Sequence, residues 1–284
     1  MDKLIVGCGY LGKRVAALWL AEGHRVFGTT RNPQRATELR QLGIEPVSCD
    51  LFDASSLRTL PTADVILYCV GFDRGAGRSM REVYVEGLAN FLARGPSSPS
   101  RFLHVSSTGV YGQSQGEEVT EASATEPPEE SGQVMLAAER MLQDSRPDAM
   151  VLRCSGIYGP GRLLRRQAIE AGEPLVGDAD KWLNLIHVAD GAAAILAAEA
   201  RSQPGRVHNV SDNQPVRRRD FYTLLARLLN APEPRFVPVG PGDPLPSHER
   251  ANRRVSNRRL REELGVQLRY PSFEQGLLAA VGVL

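Results

Sequence analysis

The chain has 284 residues, of which 42% are hydrophobic and 24% charged, as in an ordinary globular protein. Its formal net charge of +1 at pH 7 gives no reason to expect a polyanionic partner, so nucleic acid is not predicted. The four cysteines form no CxxC pair, which predicts no zinc site, no disulfide and a reducing, cytoplasmic setting. No apolar run approaches the ~18 residues of a membrane helix, so no membrane partner is predicted.

A glycine-rich stretch, Gly7-Cys8-Gly9-Tyr10-Leu11-Gly12, separates the first apolar run from the first helix-like run. In a dinucleotide-binding loop the first glycine allows a tight turn and the second lets the backbone approach a pyrophosphate. The third permits close packing of helix on strand, and the helix directs free N–H groups towards the phosphates. Its place between a strand and a helix favours this function over a purely structural turn.

Strand and helix signals alternate through the first half of the chain. Strands are predicted at residues 3–6, 25–30, 46–49, 64–70 and 101–106, and helices at 12–22, 33–42, 55–60 and 78–94. Because the strands are apolar along their whole length, we expect a sheet covered on both faces. The repeated strand–helix–strand order predicts an α/β fold, namely a Rossmann doubly wound parallel sheet.

The second half is less regular. Residues 112–130 carry six glutamates and neither Lys nor Arg, which indicates an acidic surface loop or a lid. Further helices are predicted at 133–143, 190–200, 220–229, 257–264 and 273–281, and strands at 150–153 and 206–210. We therefore predict an NAD(P)-binding domain at 1–154, completed by about 187–210, and a smaller discontinuous C-terminal substrate lobe at 155–186 and 211–284.

The end of the second strand indicates the choice of nucleotide. An NAD site normally has an acidic residue there for the ribose, but this chain has Thr30 and Arg31. A guanidinium can bind a 2′-phosphate bidentately, so NADP is favoured over NAD, unless Arg31 is only an exposed charge.

Further cofactor-binding residues are predicted at the ends of the next two strands. Asp50 and Leu51 are candidates for holding the adenine, although Asp50 could equally cap a helix. Val70 and Gly71 complete the expected set.

Several segments together resemble the extended short-chain dehydrogenase/reductase family, in its epimerase/dehydratase group. They are the glycine-rich loop and residues 50–53, 85–90, 106–112, 152–161 and 186–190. The resemblance implies a Rossmann domain, a small substrate lobe and a nicotinamide cofactor between them. It also implies a homodimer, because the helices predicted at 78–94 and 133–143 form a two-fold interface in relatives.

The family's usual catalytic pair is missing. Relatives use a Tyr and a Lys four residues later, assisted by a Ser or Thr. Ser107 matches the assisting serine, but Ser131 and Met135 stand at the tyrosine and lysine positions. We expect Ser131 to be a helix N-cap and Met135 a core residue. The pattern resembles atypical extended reductases of the YeeZ-like branch.

Ser107 and Tyr111 remain the catalytic candidates, and Tyr84 is a second phenol that could lie near the nicotinamide. Tyr111 also fits a structural role, as do His187 and Asp190, the latter as a helix N-cap. The arginine runs at 217–219, 253–254 and 258–259 fit a phosphate-bearing ligand, nucleic acid or a salt-bridged surface.

The favoured function is an oxidoreductase or epimerase/dehydratase-like protein with a non-standard active site, acting on an unidentified small molecule. One alternative is a non-enzymatic NADP(H) sensor or scaffold. An ordinary nucleotide-sugar epimerase comes third, because it needs the missing pair.

Overall fold

The structure is a computed structural model that describes residues 1–96, 99–240 and 250–282. Its strands are β1 (Asp2–Val6), β2 (Arg25–Thr30), β3 (Glu45–Ser48), β4 (Val65–Tyr68), β5 (Arg101–Ser107), β6 (Glu117–Val119), β7 (Met150–Cys154), β8 (Gly156–Tyr158), β9 (Leu175–Val176), β10 (Trp182–Leu183), β11 (Leu185–His187), β12 (Val207–Val210), β13 (Val216–Arg217), β14 (Phe236–Val237) and β15 (Arg253–Val255).

The helices alternate with these strands in the first two-thirds of the chain. They are α1 (Tyr10–Ala21), α2 (Pro33–Gln41), α3 (Ala54–Arg58), α4 (Gly87–Arg94), α5 (Glu130–Ser145), α6 (Arg166–Glu170), α7 (Val188–Arg201), α8 (Arg218–Leu228), α9 (Arg258–Leu264) and α10 (Phe273–Val281).

Seven parallel strands form the central sheet, in the order β3-β2-β1-β4-β5-β7-β12. The chain order reverses between β1 and β4, so the loops after these two strands diverge and leave a crevice at their carboxyl ends. The register pairs Val6, the last residue of β1, with Tyr68, the last residue of β4. The predicted Rossmann sheet is therefore confirmed, with its switch point beside the glycine-rich loop.

Both faces of the sheet are covered, as the continuous apolar strands predict. On one face the core includes Val15, Trp19 and Ile195 from α1 and α7. On the other it includes Leu88 from α4 and Leu142 from α5. One segment assigned to the small lobe in the sequence packs here instead, because Leu260 and Leu264 of α9 join the first of these cores.

The small lobe has its own apolar core at the carboxyl edge of the sheet, built from β8, β11, α6, α8 and α10. Tyr158, Phe221 and Leu277 are fully buried in it. The C-terminal part of the chain also contacts residues 112–130. There β6 pairs in parallel with β15, so the segment predicted as an acidic loop contains a short strand.

Two predicted helix caps are wrong, and in both cases the helix begins earlier than expected. Helix α5 starts at Glu130, so Ser131 lies in its first turn rather than at its N-cap. His187 caps α7, because its Nδ1 accepts the N–H of Ala189 at 3.3 Å. Asp190 instead accepts the N–H groups of Arg269 and Tyr270, at 2.7 and 2.9 Å.

The predicted helix 78–94 is not uniform, since Glu82–Glu86 form a π-helical turn directly before α4. This turn and α4 both pack against α5, the second helix expected at a dimer interface, and the homodimer stays a prediction. In the part of the chain that the structure describes, no helix is both long and apolar enough to cross a membrane.

Candidate functional site

The glycine-rich loop turns sharply between β1 and α1. Gly7 has a φ of +87°, and a Cβ at this position would lie 2.6 Å from the Cα of Val70. Only glycine therefore fits this turn against the end of β4. The Gly7 N–H donates to Oγ1 of Thr29 at 2.9 Å, which ties the loop to β2.

The third glycine of the loop sets the distance between α1 and the sheet. A Cβ on Gly12 would lie 3.0 Å from Cγ2 of Ile5, so the helix rests directly on β1. Leu11 is buried in the core beneath the loop, and Tyr10 is half-buried and packs against the same core. The Tyr10 hydroxyl donates to the carbonyl of Pro160 at 3.0 Å, which links the loop to the segment that follows β8.

A cleft of about 610 Å³ lies in front of this loop, along the carboxyl ends of β1, β2 and β4. Leu11 and Gly12 lie below it and do not line it. The other cofactor-binding residues predicted from the sequence all line it, and these are Gly7, Gly9, Tyr10, Thr30, Arg31, Asp50, Leu51, Val70 and Gly71.

The cleft is rich in cations that sequence reasoning missed. Arg35 lies in the first turn of α2, four residues after Arg31, and this closeness in the sequence could have revealed it. Arg78 stacks 3.6 Å from the ring centroid of Phe52, and both residues line the cleft. The cleft is also lined by three further cations and three acidic residues, namely Lys13, Arg74, Arg162, Glu38, Asp50 and Asp73.

These residues fit a dinucleotide. Gly7 leaves no room for a side chain, and at Gly9 the nearest atom to a Cβ would be the Gly7 carbonyl oxygen at 3.9 Å, so the backbone there is open to a ligand. The loop leads into the N-terminus of α1, and an arginine rather than a carboxylate follows β2. Asn32 caps α2 by accepting the N–H of Arg35 at 3.0 Å, so Arg31 and Arg35 flank the start of that helix. Both residues line the cleft at this end.

A second cleft of about 480 Å³ lies between the sheet and the small lobe. Ser107, at the end of β5, and Ser131, in the first turn of α5, both line it. The two come together because Gly132 lets α5 approach closely, since a Cβ there would be 2.4 Å from the carbonyl oxygen of Gly109. Oγ of Ser107 accepts the Gly109 N–H at 3.0 Å, which leaves its own proton available to a ligand.

Tyr111, the other catalytic candidate, is held in a buried network. Its hydroxyl donates to Oδ1 of Asn209 at 2.8 Å and accepts from Nη1 of Arg153 at 3.0 Å. Burial raises the pKa of this phenol. Because both its donor and one acceptor position are used inside the protein, this geometry favours the structural interpretation of Tyr111.

The position of the missing lysine is apolar. Met135 is 7% exposed and lies in a buried cluster with Val110, Tyr111 and Val255. Tyr84 packs against this cluster, and its hydroxyl accepts the N–H of Phe72 at 3.1 Å. Tyr84 lines neither of the two clefts.

Comparisons with known proteins agree with this architecture. A model described as the NAD dependent epimerase/dehydratase family matches residues 4–211. Protein YeeZ of Escherichia coli (strain K12) is 28% identical over 94% of this chain and 95% of its own length.

Two solved structures have the same fold. A conserved protein of unknown function from Silicibacter pomeroyi DSS has a TM-score of 0.80 and 30% identity, covering 98% of this chain and 97% of that one. The dTDP-glucose 4,6-dehydratase of Bacillus anthracis, solved in complex with NAD, has a TM-score of 0.79 and 20% identity, covering 99% and 95%.

Proposed function

Because the chain belongs to the NAD-dependent epimerase/dehydratase family, we propose that it is an NADP(H)-binding oxidoreductase or epimerase/dehydratase-like enzyme with a non-standard active site. The glycine-rich loop, the crevice at the switch point and the second cleft beside it support this proposal. When bound, the nicotinamide would accept or supply a hydride. The protein's own residues would bind and orient the nucleotide and the substrate.

The preference for NADP(H) rests on one observation, the pair Arg31 and Arg35 at the start of α2. Both guanidinium groups line the first cleft where the ribose of the adenosine half would lie. A carboxylate in this place would repel a 2′-phosphate, whereas two arginines attract it through charge-assisted hydrogen bonds.

The second cleft favours an enzyme over a sensor. A sensor needs no space for a substrate, but this cleft is open, and its lining includes the side chains of Ser107, Ser131 and Glu129. In this proposal Ser107 would donate a hydrogen bond to a substrate oxygen. Serine alone is a poor acid–base group, so we expect slow turnover compared with relatives that keep the Tyr–Lys pair, by a factor of ~10² to 10⁴.

Calorimetric titration of the purified protein with NADPH and with NADH tests the cofactor proposal. We expect Arg31→Glu to weaken NADPH binding by about 10- to 100-fold, since a charged hydrogen bond contributes ~1.5–3 kcal/mol. NADH, which lacks the phosphate, should bind equally well to both proteins. Arg40→Glu, with the same charge change at the far end of α2, serves as the control.

Two results would count against the proposal. Equal loss of NADPH affinity in the Arg31 and Arg40 variants would indicate a general charge effect rather than phosphate recognition. If the wild-type protein bound neither NADPH nor NADH, the proposed function would be wrong.

A further inference from the structure

The segment that follows β8 folds back over the glycine-rich loop. Gly159 and Arg162 close a tight turn, in which the N–H of each residue donates to the carbonyl oxygen of the other, at 3.1 and 2.9 Å. A Cβ on Gly159 would lie 2.8 Å from both the Tyr10 hydroxyl and Cγ1 of Val188, so the absence of a side chain lets the turn approach α1 closely. The hydrogen bond from Tyr10 to the carbonyl of Pro160 holds the turn in this place.

This turn brings Arg162 from the small lobe to the nucleotide cleft. The next residue, Leu163, packs against the core of the small lobe, whereas Arg162 lines the first cleft. Its guanidinium carbon lies 5.5 Å from the centroid of the Tyr10 ring. Tyr10 is the first residue of α1, and the diphosphate of a dinucleotide would lie at the N-terminus of this helix. A single aromatic ring therefore separates Arg162 from that end of the helix.

The charge of Arg162 also acts on the opposite side of the crevice. The Tyr84 hydroxyl accepts the N–H of Phe72, a residue that lines the cleft after β4. Burial raises the pKa of this hydroxyl, and the Phe72 N–H and the charge of Arg162 oppose the rise. Burial likewise raises the pKa of Tyr10, against the charges of Arg14 and Arg162. The guanidinium therefore lies between the segments that follow β1 and β4.

In the described part of the chain, no carboxylate forms an ion pair with Arg162. The acidic residues that line the same cleft have other partners. Glu38 lies 3.6 Å from Nζ of Lys13, and Asp50 and Asp73 each accept the backbone N–H two residues later, at 2.9 and 3.0 Å. Arg162 is exposed, so its charge is held at the cleft by the turn and remains open to an anion.

We propose that Arg162 is a phosphate clamp, by which the small lobe completes the diphosphate site that the glycine-rich loop begins. The loop and the end of α1 offer backbone N–H groups, which hold phosphates without a full positive charge. Arg162 supplies that charge and a planar fork that can bond two phosphate oxygens. The clamp rests on the proposed function, because it needs a dinucleotide. It does not depend on the choice between NADPH and NADH, since both contain the diphosphate.

Calorimetric titration of the full-length protein with NADPH, NADH and ADP-ribose tests the clamp, because all three contain the diphosphate. Arg162→Gln should weaken the binding of all three by the same factor, about tenfold, as expected for one exposed charged hydrogen bond. Arg162→Lys keeps the charge without the fork and should recover part of the loss. Arg166→Gln, the same change four residues later in an exposed pair with Glu170, is the matched control and should leave all three affinities unchanged.

Salt separates a direct phosphate contact from a structural role of Arg162. Raising the NaCl concentration from ~0.05 to ~0.5 M should reduce the difference between wild type and Arg162→Gln from about tenfold to about threefold, because ions screen an exposed contact between charges. If the side chain only held the turn against Tyr10, the difference would not depend on salt, and the proposal would be wrong.

Three binding patterns would also overturn the clamp. Unchanged affinities in Arg162→Gln would leave Arg162 as a surface arginine on a tyrosine ring. Weaker binding of NADPH alone would place Arg162 at the 2′-phosphate, and an equal loss in Arg166→Gln would indicate a general charge effect. Binding by the wild type with no change in Arg162→Gln refutes the clamp alone, whereas a wild-type protein that binds none of the three nucleotides refutes the proposed function itself.

Discussion

Replacement of Glu139 by Gln is expected to destabilise the protein strongly, although the two side chains have nearly the same size and shape. Glu139 lies on α5 and accepts hydrogen bonds from Arg153, with Nη2 and Oε2 2.7 Å apart, and from Oγ of Ser106 at 2.5 Å. The two charged side chains are 2% and 8% exposed. Burial acts to lower the pKa of Arg153, but the hydrogen bond and charge of Glu139 outweigh it and raise this pKa above its ordinary value.

The size of the effect follows from the uncompensated charge. Glu139→Gln leaves the buried Arg153 guanidinium without a counter-charge, which costs about 3–5 kcal/mol. For a chain of this length that corresponds to a fall in Tm of roughly 10 °C. Urea unfolding at pH 7, followed by circular dichroism, measures the free energy of unfolding directly.

An exposed pair of similar length provides the control. Arg206 and Glu263 are 2.8 Å apart, but their side chains are 45% and 37% exposed. Glu263→Gln should therefore cost less than about 1 kcal/mol. The double variant Glu139→Leu, Arg153→Met should recover about half of the loss, because it removes both charges. Equal destabilisation by Glu139→Gln and Glu263→Gln would refute the reasoning.

Two further predictions concern the glycine-rich loop and one buried histidine. Gly7→Ala should abolish NADPH binding and lower Tm. Gly23 has a similar φ of +80° but nothing within 4 Å of a new Cβ, so Gly23→Ala should cost only ~1–2 kcal/mol of backbone strain. Equal losses of stability in the two variants would contradict the steric explanation. Burial lowers the pKa of His104 from 6.5 to about 4, so the unfolded chain binds a proton first and stability falls as pH drops through this interval, by up to about 3 kcal/mol. His104→Phe should flatten that part of the profile in urea unfolding from pH 7 to 4, and an unchanged slope would exclude His104 as its source.

Much of the Rossmann half was predictable because its signals are local. Each strand is a continuous apolar run, and each helix has a nearby stop such as Gly43, so element order and sheet type followed from pattern alone. The glycine-rich loop was predictable for the same reason. Its three glycines lie within six residues and can be recognised without any distant contact, although the atoms that constrain Gly7 belong to Cys69 and Val70 after β4.

The second cleft was not predictable in the same way, because its walls come from distant segments. Arg253 reaches Thr108 only because β15 pairs with β6, and β6 is a three-residue strand inside a segment dominated by glutamate. A helix start also depended on packing. Gly132 fits α5 against the turn after β5, which moves the first helical residue to Glu130 and leaves Ser131 facing the cleft.

The missing lysine and the presence of Arg253 are connected through one strand. Met135 shares a buried cluster with Val255, and Val255 lies two residues after Arg253 on β15. A lysine at position 135 would place its ammonium among apolar side chains, and desolvation would oppose its charged form. A substitution at this position would also disturb the cluster that holds β15, so its effect would extend to Arg253 in the wall of the second cleft.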